Sequence, residues 1–170
     1  MKVKLKSQSV TIQATRSAVF KLISSFGDAE LGKRSTDSAP NTEEGKTLIE
    51  RDGNRLLMEF RSRDGPMMYR TLEEVMLYPE ERITFRHIER PLNHSQEEFV
   101  FSQSGASTTM THSGEIECRM HWLPAVGWLV ARFYVKRHYE RLVMRHMNSL
   151  KETAEEETAG KETTEPETAG

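Results

Sequence analysis

Between residues 46 and 121 apolar and polar positions alternate in short runs broken by turn residues. A period of two is what a strand produces, because successive side chains point to opposite faces. KTLIERD and RLLMEFRSR are separated by Gly53-Asn54, a hairpin signal. Arg63-Asp64-Gly65-Pro66 leads into MMYRTLEEVMLY, and Pro79-Glu80-Glu81 into RITFRHIER. Pro91-Leu92-Asn93 then turns into SQEEFVFSQ, and Ser104-Gly105-Ala106 into STTMTHSGEIECRMHW. These are six consecutive strands. A run ending near Ala14, with Val10 and Ile12 on one face, makes seven.

Parity then selects a covered face. It takes Leu56, Met58 and Phe60, set against Arg55, Glu59 and Arg61. It continues with Met67, Tyr69 and Thr71, with Ile83, Phe85 and His87, and with Phe99 and Phe101. The last strand offers Met110, His112, Ile116, Cys118 and Met120 against Thr109, Thr111, Glu115, Glu117 and Arg119. One-sided alternation predicts an antiparallel sheet with one face wet and one covered.

Helical spacing appears at both ends. In RSAVFKLISSF, Val19, Phe20, Leu22, Ile23 and Phe26 form a stripe, Thr15 is placed to cap it, and Gly27 ends it. DAELGKRS reads as a second short helix stopped at Gly32, followed by the polar loop STDSAPNTEEG. Near the C-terminus Pro124 suits a first helical turn, and no proline follows before Lys151. Trp128, Ala131, Val135, Tyr139, Leu142, His146 and Leu150 make an apolar stripe, with Arg132, Lys136, Arg137, Arg141 and Arg145 on the other side. About 27 residues at 1.5 Å each give a helix of roughly 40 Å, enough to lie across a whole sheet. The expected fold class is α+β: a seven-stranded curved antiparallel sheet closed by this long helix.

Composition sets the boundaries. KETAEEETAG and KETTEPETAG form a tandem repeat without aromatic or large aliphatic residues. Such a segment buries too little surface to offset the entropy of ordering, so disorder is expected from Thr153 onward. The expected division is a domain over 1–152 and an acidic tail over 153–170. Two lysines against seven glutamates leave residues 151–170 at −5, so the rest of the chain carries +3 of the overall −2. That mildly basic body falls short of a nucleic-acid footprint. With one cysteine, Cys118, no signal-peptide pattern and no apolar run near 20 residues, a cytoplasmic location is expected and no thiolate metal cluster is available.

Polar residues at inward positions carry the candidate chemistry: Tyr69, His87, His112, Tyr139 and His146, with Arg132 at the helix edge. Histidine can act as a general base, and Tyr or Arg can stabilise a developing oxyanion. A histidine simply satisfied in the core is the more frequent case for any one of them. Nine methionines, including Met58, Met67, Met110 and Met120 at inward positions, suit either a core or an adaptable ligand surface. No GxSxG elbow, glycine-rich phosphate loop or paired metal-ligand spacing occurs. The basic side of the last helix suits a solvated exterior, or transient contact with anionic membrane.

The order of these elements resembles the helix-grip superfamily of START lipid-transfer domains and birch-pollen-allergen proteins (SRPBCC), in its polyketide cyclase/dehydrase and coenzyme Q-binding branch. SVTIQATRSAVFKLISSF is similar to its strand-then-helix opening, and YPEERITFRHI to its proline-containing middle turn. FVFSQSGASTTMTHSGEIE resembles its penultimate hairpin, and HYERLVMRHMNSLKETAE its closing helix. The resemblance implies two short helices after strand 1 and a cavity between sheet and long helix. Its lining would then be Met58, Phe60, Met67, Tyr69, Phe85, His87, Phe99, Phe101, Met110, His112, Met120, Trp128, Arg132, Val135 and Tyr139. The expected role is carriage of a hydrophobic molecule such as a lipid, quinone or polyketide-like aromatic, with no cofactor. Two alternatives stand beside it: a cyclase or dehydratase with His87 or His112 as base, and a regulatory interaction module with a vestigial cavity. Oligomeric state is left open by the sequence.

Overall fold

The computed structural model describes residues 2–25, 34–35, 45–64, 67–88, 94–117, 128–129, 132–133 and 136–162. The N-terminal strand is split into β1 (Val3–Lys4) and β2 (Gln8–Ile12), and both pieces pair antiparallel with the last strand. Helix α1 (Arg16–Ser24) follows, capped as expected by Thr15, whose hydroxyl accepts from the Ala18 amide at 3.4 Å. A two-residue strand, β3 (Arg34–Ser35), precedes the meander β4 (Gly45–Asp52), β5 (Arg55–Asp64), β6 (Met67–Tyr78), β7 (Arg82–His87), β8 (His94–Ser104) and β9 (Ser107–Glu117). The last described element is α2 (Lys136–Glu162). Sheet order is β1-β9-β8-β7-β6-β5-β4-β3, with β2 beside β1 on β9. The architecture is the α+β helix grip, an antiparallel sheet against a C-terminal helix.

The turns form where the chemistry allows them. Gly53 (φ +56°) and Gly105 (φ +61°) each open a two-residue hairpin loop, in the left-handed region that costs glycine least. A register shift between Leu48 and Glu50 breaks the β4–β5 ladder, the kind of irregularity that bends a strand.

The core lies on the expected sheet face. Leu56, Met58, Val75, Ile83 and Met110 are fully buried there, with Leu48, Phe99 and Phe101. Phe20 of α1 meets Phe101 edge-on at 5.8 Å. From α2, Val143, Met147 and Ala154 are buried, and Tyr139 and Leu150 pack at the margin. The opposite face is polar. There Glu59 is bound by Arg61 and Arg70, and Glu74 by Arg55 and Arg86, all at 2.7 Å. Arg70 ahead of Arg61, and Arg55 ahead of Arg86, hold these two carboxyls below their usual range against the opposing effect of burial.

Two expectations need correction. The sequence spacing puts Leu142 and His146 in the helix stripe, but the buried positions are Val143 and Met147, one residue on, and His146 is exposed. Tyr139 and Leu150 of the same stripe do pack against the core, and between them the buried positions step by four, from Tyr139 to Val143 to Met147, where the sequence spacing steps by three to Leu142. Composition predicts a tail disordered from Thr153, yet α2 continues to Glu162. Ala154 is 4% exposed, and Glu155 accepts from the Gln13 amide at 2.9 Å. Extending an existing helix by Ala, Glu and Lys avoids the cost of nucleating one. The expected second helix over 28–32, Pro124, Cys118, Met120 and Val135 lie outside the described residues, as do the side chains of Met67 and Tyr69.

Candidate functional site

The covered face of β8 reads Ser95, Glu97, Phe99, Phe101, and all four are buried. A glutamate thus stands two residues from a phenylalanine in the interior. Gly114 of β9 is its register partner and makes the room. A Cβ at position 114 would lie 2.7 Å from Glu97 Cγ and 2.8 Å from the Gln96 carbonyl oxygen.

Three donors converge on Glu97. Tyr139 of α2 donates its hydroxyl to both oxygens, at 2.7 and 2.8 Å. Ser95 Oγ donates to Oε1 at 2.8 Å, and His112 Nε2 lies 2.9 Å from Oε2. Each oxygen therefore has two short contacts, close to the full accepting capacity of a carboxylate. His112 is 1% exposed, and this contact fixes its Nε2 as the donor toward Glu97. The network ties α2 to the middle of the sheet. Burial first, then the charges of Glu97 and Glu73 and the hydrogen bond to Glu97, push the Tyr139 hydroxyl well above the usual tyrosine value.

A second pair lies across β6 and β7. Glu73 and His87 are register partners, with His87 Nδ1 3.6 Å from Glu73 Oε1. Thr71 Oγ1 donates to the same carboxylate oxygen at 2.8 Å. The His87 side chain is 3% exposed, and its Nε2 is buried without a hydrogen-bond partner. The two candidate bases therefore differ: His112 Nε2 is committed to Glu97, whereas His87 Nε2 is unmet.

Aromatic rings run between these pairs. Phe60 and Phe85 are 6.3 Å apart, Phe85 and Phe99 5.9 Å, and Phe99 and His112 4.9 Å. These separations suit tilted and edge-to-face ring contacts. Phe60 and Phe85 are only partly buried although they face the covered side. Met58, Met110 and Phe101, by contrast, are packed fully into the core. Trp128 is partly buried against Val3, Leu5 and Ile116. Arg132 is not brought inside: it is exposed, its guanidinium 5.6 Å from the Trp128 ring and 5.9 Å from that of Phe133. A groove of about 270 Å³ lies on the opposite sheet face, lined by Thr84, Gln96, Glu98, Ser113 and Glu115 with Glu97.

Sequence reasoning misses Glu97, Ser95 and Glu73. The signal is available, because the parity that places Phe99 and Phe101 inward places residues 95 and 97 there too.

Residues 6–155 match the family model described as polyketide cyclase / dehydrase and lipid transport. Comparison with curated proteins gives no match. Among solved structures, the Zhui aromatase/cyclase from Streptomyces sp. R1128 is similar with a TM-score of 0.71 and 16% identity, covering 91% of this chain and 94% of that one. The protein TTHA0849 from Thermus thermophilus gives 0.68 and 18%, over 89% and 97%. A START superfamily protein from Mycobacterium smegmatis gives 0.64 and 13%, over 91% and 99%. At these identities the likeness is one of fold.

Proposed function

The chain belongs to the polyketide cyclase / dehydrase and lipid transport family, and on that premise we propose that it binds and carries a hydrophobic small molecule between the sheet and α2. The observation that carries this reading is the aromatic row ending in Phe60 and Phe85, inward-facing rings that stay partly accessible. In a closed core such rings would be fully covered, as Leu56, Met58 and Ile83 are a few residues away. Apolar walls with a few placed polar groups are the general make-up of small-molecule sites. Lipids, quinones and polyketide-like aromatics all present the apolar body such a wall accepts.

A second reading, cyclase or dehydratase chemistry, is favoured by one observation: two inward histidines each set against a carboxylate, His87 with Glu73 and His112 with Glu97. Carboxylate-oriented imidazoles are suited to general-base work. Carriage remains the preferred reading because the His112 pair is fully occupied by internal contacts. Exposed Leu129 and Phe133 beside Arg132 also support brief contact with an anionic membrane surface during ligand exchange.

Native mass spectrometry of the purified chain, with lipid extraction of the same sample, tests the proposal. A retained apolar molecule of defined mass is the expected result. If nothing co-purifies and Nile red shows no saturable binding, the carrier reading is wrong.

A further inference from the structure

We propose that His87 and Glu73 form the polar end of the ligand site and select an apolar molecule bearing a neutral hydroxyl or phenol over one bearing a carboxylate. This rests on the binding reading above and adds the chemistry of the ligand's polar group.

The unmet atom is the starting point. Buried polar atoms are nearly always hydrogen-bonded, and an orphan carries its full desolvation cost. Among the described residues, three side-chain atoms are buried without partners: Gln8 Oε1, Arg16 Nε and His87 Nε2. Gln8 still donates through Nε2 to the Glu140 carbonyl, and an Arg16 terminal nitrogen lies 3.7 Å from Glu80. The close polar neighbour of His87 is Glu73, on its other ring nitrogen. A carboxylate at Nδ1 favours the tautomer with its proton there, which leaves Nε2 with a lone pair. What is missing at Nε2 is therefore a donor.

The surrounding chemistry restricts that donor. Tyr139, Ser95 and His112 are directed at Glu97, and Thr71 is directed at Glu73. An incoming carboxylate would meet committed donors and two existing carboxylates, Glu73 and Glu97, whose charges both act on the Tyr139 hydroxyl. Like charges at such range in a poorly solvated site oppose binding. A neutral hydroxyl donates to His87 Nε2 without adding charge. Phe85, two residues along on the same strand face and partly accessible, with Phe60 beyond it, offers the adjoining surface for an apolar ring. Because Nε2 is closed off in the free chain, the ligand reaches it by displacing the side chains that cover it.

Isothermal titration of the full chain at neutral pH with 2-naphthol, 2-methoxynaphthalene and 2-naphthoate tests this. These share one ring system and differ in donor and charge. The expected order has 2-naphthol tightest, by about tenfold over the methyl ether as one net hydrogen bond implies, and naphthoate weakest. His87→Leu should abolish the advantage of naphthol over the methyl ether. His87→Gln, whose amide oxygen can accept, should keep most of it. Naphthoate binding tightest, three equal affinities, or an unchanged naphthol advantage in His87→Leu would each overturn the proposal while leaving the carrier reading standing. Failure of all three to bind would overturn both. Should His87→Leu not fold by circular dichroism, the ranking on the unmodified chain and the His87→Gln result decide.

Discussion

Replacing Tyr139 with Phe keeps the ring and deletes the one hydroxyl that joins α2 to Glu97. The two contacts, at 2.7 and 2.8 Å, share a single proton and count as one bond. Hydrogen bonds to charged groups contribute about 1.5–3 kcal/mol. Ser95 and His112 remain on the carboxylate, which puts the expected loss near the lower half of that range, about 2 kcal/mol. For a domain of this size that lowers Tm by roughly 4–8 °C. Urea unfolding followed by circular dichroism at neutral pH measures the loss directly. The pH dependence supplies a second check. The Tyr139 hydroxyl is raised well above its usual value, chiefly by burial and by Glu97. Its contribution is present below about pH 10, the unfolded value, and is lost as pH rises toward the folded one. Tyr139→Phe lacks that group, so the stability gap between the two proteins should narrow above about pH 10. A loss below about 0.5 kcal/mol, or a gap that widens with alkaline pH, would refute the account of the network.

Gly114→Ala should destabilise by about 1–3 kcal/mol, since the new methyl meets a backbone oxygen at 2.8 Å that cannot move cheaply; an unchanged urea midpoint would show that the β8–β9 pair has room to spare. Ending the chain after Glu152 removes buried Ala154 and the Glu155 contact to the Gln13 amide. The expected loss is about 2 kcal/mol, one methyl's burial plus one hydrogen bond, and a truncated chain as stable as the full one would put the domain boundary back at 152.

How much of this is readable beforehand depends on the kind of signal. Strand parity is plain wherever alternation is clean, and it places Leu56, Met58, Phe99, Phe101, Met110, His112 and Ile116 on the buried face. The same rule turns Glu97 inward, but a glutamate among strand residues is usually solvated, so parity by itself does not announce a buried acid there. Besides Ser95, burial of Glu97 is made tolerable by Gly114 and His112 across the ladder and by a tyrosine 42 residues downstream, and none of these three is visible locally. The helix face is misread between Tyr139 and Leu150 because steps of three and of four both fit an amphipathic stripe, and Val143 and Met147 rather than Leu142 and His146 take the buried positions. The first tail repeat misleads because composition reports on the burial a segment can supply by itself, not on a helix that arrives already formed.

The glycine facing Glu97 also bears on how such a chain can change over generations. Positions 95, 97, 112, 114 and 139 come from three elements, yet they share one carboxylate and one methyl-sized gap. A lineage that loses the acid strands three donors, and one that fills the gap displaces the acid. Among descendants of a common ancestor these five positions should therefore be inherited as a block, replaced together by apolar residues or kept together, with few sequences caught between.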